Sequence, residues 1–158
     1  MVADKEFDAG IRFIGTIHTP WTSRDECPRN PMETDKLCRV VVHEDYAAGL
    51  KSIEGCSHIL LFYWLDQADR NKLLQVPPVD DKTHGIFAIR SPSRPNPIGL
   101  SAADLVGVDG NVLTVRHVDC IDGTPLIDIK PYFARGDSKP NAVVDWHVKR
   151  SKPLPPRG

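Results

Sequence analysis

Short apolar runs broken by glycine, proline and aspartate set the pattern of this chain. Residues 11–18 alternate partly and predict a first strand. Residues 38–43 (C-R-V-V-V-H) are rich in β-branched side chains and predict a second. Residues 56–66 (C-S-H-I-L-L-F-Y-W-L-D) form the most apolar segment and predict a central strand. Residues 85–90 and 100–108 predict two more. Residues 112–118 follow the turn Asp109-Gly110-Asn111, and Asp-Gly accepts the positive φ that a tight hairpin needs. Residues 126–130 close the series. Seven short strands with frequent turn signals predict an all-β barrel or sandwich. Helical patterning is minor and confined to 45–52 and 68–74.

Between two of these strands lies the most unusual stretch. Residues 85–99 read G-I-F-A-I-R-S-P-S-R-P-N-P-I-G and contain no acidic residue. Pro92, Pro95 and Pro97 each fix their own φ and push the preceding residue toward extended geometry. The loop is therefore stiff before a ligand arrives. It carries two permanent, fork-shaped cations, Arg90 and Arg94, and the amide of Asn96. Rigidity on that scale points to a preformed site rather than to a simple corner.

A second stretch, residues 119–132, reads D-C-I-D-G-T-P-L-I-D-I-K-P-Y. Asp122-Gly123-Thr124-Pro125 is a turn by local chemistry, with Gly123 supplying positive φ. Asp128, Lys130 and Tyr132 then alternate, which places them on one face of a strand. A carboxylate, an amine and a phenol together make either an active-site face or a salt-bridged surface face. A third stretch, Cys27-Pro28-Arg29-Asn30-Pro31-Met32, sits in a long loop after the first strand, where binding roles are common.

Bulk numbers bound the function. A chain of 158 residues with 41% hydrophobic and 26% charged content is one ordinary globular domain. Its longest apolar run, 59–65, is strand-sized and too short to span a membrane. The opening Met1-Val2-Ala3-Asp4-Lys5 has no apolar signal core and reads as a cytoplasmic start. Cys27, Cys38, Cys56 and Cys120 form no C-x-x-C pair, and the six histidines are equally scattered, so no metal site is expected. There is no dinucleotide fingerprint, no phosphate loop and no nucleophile elbow. The net charge of −1 excludes a chain coated with cations for nucleic acid, yet residues 133–158 carry six cations against two acids. Such a basic tail either holds a polyanion or is a solvated end, and Pro153 to Pro156 reads as disordered.

Taken together, these stretches resemble the TsaA-like (TrmO-type) family of S-adenosylmethionine-dependent tRNA methyltransferases. The likeness runs over residues 11–134. It rests on F-A-x-R-S-x-x-R-P-N-P-I-G at 87–99 and D-G-T-P-x-x-D-I-K-P-Y at 122–132, with Pro28-Arg29-Asn30 and Ser57 to Phe62 in support. The resemblance implies a small antiparallel β-barrel of non-Rossmann type, working as a homodimer, over residues 1–134, followed by a basic tail over 135–158. It implies methylation of threonylcarbamoyladenosine, the modified adenosine beside the tRNA anticodon. Carried over by motif, the cofactor contacts are Asn30, Pro31, Met32, Leu65, Asp66, Arg90, Leu100, Asp122, Gly123, Thr124 and Pro125. Several bacterial members carry a further C-terminal domain where this chain has its tail, and a His is common where this chain has Asp66.

Methyl transfer from a sulfonium is an in-line displacement in which the protein supplies alignment. The acceptor nitrogen must lose a proton, and Asp128 or Tyr132, with Lys130 beside them, are the candidates to take it. Arg94 and Asn96 in the rigid loop, with Lys149 and Arg150 in the tail, are the candidate substrate contacts. Two other readings stand beside this one. One is a methyltransferase of the same fold acting on a small molecule or another RNA. The other is a non-catalytic module that binds the cofactor.

Overall fold

The structure, a computed structural model, describes residues 8–154. The N-terminal run Met1–Lys5, expected to be a cytoplasmic start, and the last residues of the proline-rich end lie outside the described residues. The described residues form eight strands: β1 (Gly15–His18), β2 (Cys38–Val42), β3 (His58–Trp64), β4 (Leu74–Gln75), β5 (His84–Gly85), β6 (Ile98–Asp109), β7 (Val112–Arg116) and β8 (Thr124–Pro131). Two four-residue helices follow, α1 (Ala134–Asp137) and α2 (Asp145–Val148). No helix among the described residues is long and apolar enough to cross a membrane.

Six strands close into a barrel in the order β1-β2-β7-β6-β3-β8, each pair antiparallel. The expected all-β class is thus met by a closed barrel. The period-two pattern fills it: Ile17, Val40, Ile59, Leu61, Leu113, Val115 and Leu126 are wholly buried, while their neighbours turn outward. Each such side chain contributes roughly 1.5–3 kcal/mol by leaving water. Gly15 pairs with Val42 where β1 lies close against β2, and a Cβ there would strike the Val41 carbonyl. Gly110, at φ +57, makes the β6–β7 hairpin as its Asp-Gly signal predicts.

One irregularity bears on the candidate site. Tyr63 pairs with Leu126, but Phe62 pairs with Asp128, so Ile127 is an extra residue in β8. A bulge of this kind inverts the alternation beyond it. Leu126 points into the barrel, and without the bulge Asp128 and Lys130 would follow it inward. With it, they stand opposite Phe62 and Leu60 on the outer face.

Several expected elements are corrected. Residues 85–90 are not a strand: β5 ends at Gly85 and a 3-10 turn, Ile86–Ala88, follows. The cause is Arg94, whose Nη2 donates to the carbonyls of both Ile86 and Ile89 and draws them together. Residues 68–74 are not helical, because the Asp69 carboxylate accepts the Asn71 N–H and makes a turn instead. The helix expected at 45–52 is a 3-10 segment, Glu44–Leu50, and the first strand begins only at Gly15. The short helices α1 and α2 were not expected, since four residues are too few to show a period.

The chain divides into two compact units. The barrel comprises residues 8–66 and 98–132. The second unit joins residues 67–97 to 133–154. Its centre is the buried Asp80, whose carboxylate accepts from His84 Nε2 at 2.8 Å, from the Ser151 N–H at 3.1 Å and from the Asp81 N–H. The Lys152 N–H donates to the Val79 carbonyl. The Trp146 indole donates to the Ala88 carbonyl at 2.8 Å and its ring lies 4.6 Å from that of His84. These contacts fasten the C-terminal segment to the strands β4 and β5.

Candidate functional site

Two barrel segments carry most of the expected cofactor contacts, and several hydrogen bonds lace them together. The Asp122 N–H donates to the Trp21 carbonyl at 2.7 Å. The Thr19 hydroxyl donates to the Cys120 carbonyl at 2.9 Å. His117 Nδ1 lies 3.3 Å from the Pro31 carbonyl. The β1–β2 loop, with Asn30, Pro31 and Met32, is thereby held against the β7–β8 loop, with Asp122 and Gly123, which leads into Thr124 and Pro125 at the start of β8.

Further contacts fix these segments, some within one loop and some to β1 and the loop after it. The Asn30 side chain accepts the Met32 N–H at 2.9 Å and caps the 3-10 turn Pro31–Glu33. Asp122 accepts the Thr19 N–H at 3.0 Å, and one carboxylate oxygen lies 3.2 Å from His18 Nδ1. The Thr124 hydroxyl donates to the Ile121 carbonyl, and the Gly123 N–H donates to the Ile17 carbonyl. Gly123 has φ +83, which favours glycine, and open space where a Cβ would stand. Leu65 packs against the core just beyond β3, and Asp66 beside it is exposed. Leu100 stands opposite Phe62 on the outer face of β6.

Beneath these loops runs a polar network that the alternation of β3 conceals. The Tyr63 hydroxyl, inside the barrel, donates to Asp119 at 2.9 Å and lies 2.8 Å from the Ser101 hydroxyl. Burial, and then the Asp119 charge, push the phenol well above its ordinary range, so it stays protonated and remains a donor. Burial likewise pushes the Cys38 thiol up to about 11 and raises the thiols of Cys27 and Cys120. None of the three is suited to act as a thiolate nucleophile.

His117 has no counterpart in the motif reading. Its backbone is left-handed, at φ +66, and its Nε2 lies 3.4 Å from Asp104, which also reaches His58 at 3.3 Å. No sequence signal marks it, because an isolated histidine after a strand carries no pattern. Among the described residues no group of three or more His, Cys, Asp or Glu is arranged to hold a metal.

Asp128 and Lys130 are brought together on the outer face, Nζ to Oδ2 at 3.0 Å, with side chains 45% and 60% exposed. Tyr132 lies near the His58 ring, at 6.3 Å between centroids. In the second unit, Arg90 and Asn96 are exposed, whereas Arg94 is engaged by its two carbonyl contacts. Lys149 pairs with Asp145 at 2.8 Å, and Arg150 donates to the His147 carbonyl.

The chain is 43% identical to a probable S-adenosyl-L-methionine-binding protein of Archaeoglobus fulgidus, over 86% of this chain and 37% of that protein. It is 45% identical to the probable S-adenosyl-L-methionine-binding protein VirR of Rhizobium radiobacter, over 89% of this chain and 79% of that one. It is 34% identical to the mouse tRNA (adenine(37)-N6)-methyltransferase, over 88% of this chain and 35% of the mouse protein. Among solved structures, TrmO from Pseudomonas aeruginosa superposes with a TM-score of 0.73 at 27% identity, over 89% of this chain and 62% of that one. The chain thus spans little more than a third of the archaeal and mouse relatives. Residues 16–138 match the model of the tRNA-methyltransferase O N-terminal domain, and the laced loops and the barrel that displays them are those of a chain that belongs to this family.

Proposed function

We propose that the chain is an S-adenosylmethionine-dependent methyltransferase. Its substrate is tRNA, at the threonylcarbamoyladenosine beside the anticodon, and it works as a homodimer. Family membership carries the reading, and most of the proposed cofactor contacts lie in two segments that hydrogen bonds fasten together.

The displayed residues suit the cofactor, a sulfonium cation bearing an adenine and an amino-acid tail. Met32 and Leu100 are 65% and 44% exposed, apolar surface that a purine can cover. Asp66 and Asp122 offer carboxylates to hydroxyl and ammonium groups. The open flank of Gly123 lets a ligand approach the backbone. The barrel carries eight Lys and Arg against fourteen Asp and Glu, a field that favours a cation.

When bound, the cofactor supplies a methyl group already activated on sulfur. The chain's task is alignment, exclusion of water and removal of a proton from the acceptor nitrogen. Asp128 and Tyr132 are the groups proposed to take that proton. Half-exposed Ile98, Leu100 and Val106 on β6 offer apolar surface to a second copy.

Methyl transfer from labelled cofactor to total tRNA tests the reading. Label should enter tRNA from cells that make the threonylcarbamoyl modification and not tRNA from cells that lack it. Label in neither, with cofactor still bound, removes tRNA as the acceptor. Light scattering that finds an active monomer removes the dimer.

A further inference from the structure

Charge is divided unevenly between the two compact units. The second unit, residues 67–97 and 133–154, carries ten Lys and Arg against five Asp, whereas the barrel is acidic. Its acids are also largely engaged: Asp80 is buried against His84, Asp145 pairs with Lys149, and Asp137 accepts the Phe133 N–H. By contrast Lys72, Lys82, Arg135, Lys139 and Lys152 are exposed and form no ion pair among the described residues.

The same unit presents an aromatic ring with unusual care. In the turn Ile86–Ala88, Ile86 is buried and Phe87 at the apex is 83% exposed. Arg94 holds the carbonyls of Ile86 and Ile89, at 2.6 and 2.9 Å, and the Trp146 indole holds that of Ala88. The Ile86 N–H donates to the Leu73 carbonyl. A large apolar ring left in water on a turn held at four points is preorganised for a partner, because little freedom remains to be lost on binding.

We infer that this basic unit is the surface that binds RNA, with its exposed cations on phosphates and Phe87 stacked on an unpaired base. The inference rests on the tRNA reading above and adds the place and mode of contact. Single-stranded nucleic acid is recognised by this combination, cations that follow the backbone and aromatics on which bases stack. A base-free polyanion would use the cations and leave Phe87 idle.

The test uses the full chain and a fluorescent anticodon stem-loop RNA, with anisotropy measured over a range of salt. The triple variant Lys72→Glu, Lys82→Glu, Lys139→Glu should flatten the plot of log affinity against log salt, by roughly 0.7 for each single-strand phosphate that the protein no longer neutralises. The barrel variant Arg39→Glu, Lys51→Glu, also at exposed positions, should leave it unchanged. Phe87→Ala should weaken RNA binding roughly ten- to a hundredfold, Phe87→Tyr should restore it, and heparin binding should not respond to either. Cofactor affinity should be the same in every variant. RNA binding by the wild type with a salt slope that only the barrel variant lowers overturns the surface. Equal loss of RNA and heparin binding in Phe87→Ala overturns the stacking. A wild type that binds cofactor but no RNA overturns the tRNA reading itself.

Discussion

The ring of Tyr63 fills the space that any side chain at position 99 would need. A Cβ on Gly99 would meet the ring atoms well inside contact distance. Gly99 ends the signature R-P-N-P-I-G, so this glycine is required by packing across the β3–β6 pair rather than by turn geometry. Gly99→Ala should destabilise the barrel by about 1–3 kcal/mol, the range for overpacking a tight core. Urea denaturation of the variant checks this, and an unchanged midpoint would mean that the ring moves aside freely.

Arg90→Ala should weaken cofactor binding, and methyl transfer at low cofactor with it, and leave the fold intact. Arg90 is exposed, so its removal takes nothing from the core. Removing a charge-assisted hydrogen bond costs about 1.5–3 kcal/mol, or roughly one to two decades in binding. Calorimetry with cofactor and a circular dichroism spectrum separate the two effects. Wild-type turnover at low cofactor would remove Arg90 from the site.

Asp128→Asn and Tyr132→Phe should each lower turnover more than cofactor affinity. Asp128 lies on the outer face within β8 and Tyr132 just beyond its end, and neither belongs to the laced loops. The discriminating measurement is a pH–rate profile. If both variants keep the wild-type rate and pH optimum, the acceptor proton leaves by another route.

His117→Gly and His117→Asn both accept a left-handed backbone, but only Asn keeps a donor near the Pro31 carbonyl. Cofactor binding should therefore weaken about tenfold in the glycine variant, as expected for the removal of one hydrogen bond. The asparagine variant should recover most of it. Equal affinities for the two would show that the Pro31 loop needs no anchor.

Acid should loosen the second unit through Asp80. The His84 hydrogen bond, aided by the N–H groups of Asp81 and Ser151, holds its carboxyl below the usual carboxylate range. A carboxyl depressed on folding contributes stability that is fully present above its unfolded value of about 3.9 and lost as pH falls through the folded value. Protection of the Ser151 N–H, measured against the unprotected exchange rate at the same pH, should fall below about pH 4 in the wild type. In Asp80→Asn that protection should already be low at neutral pH and show no acid step.

The barrel was legible in the sequence because its core is written in alternation: Val40 and Val42, Ile59 and Leu61, Leu113 and Val115 repeat the period that the fold buries. The chemistry of the outer face was half legible. Asp128 and Lys130 share a face as their spacing requires, but which face depends on the extra residue at Ile127, and a bulge leaves no mark in composition. The turn at 86–88 was misread for a related reason. G-I-F-A-I-R looks like a strand until Arg94, several residues later, binds its carbonyls. The role of Tyr63 was hidden by its own pattern, since an inward aromatic in a core strand looks like packing alone.

Trp64 at the end of β3 pairs directly with Ile98 at the start of β6. Seen from the barrel, everything between them is the loop of one long hairpin. The entropy of closing a loop grows only as the logarithm of its length, so a two-residue turn and a thirty-residue excursion differ by only a few kcal/mol, roughly, for the strands they join. The whole excursion can therefore be carried between β3 and β6 without disturbing the register of the barrel. A fold arranged in this way lets the chain build part of a second compact unit in the middle of the barrel's own sequence.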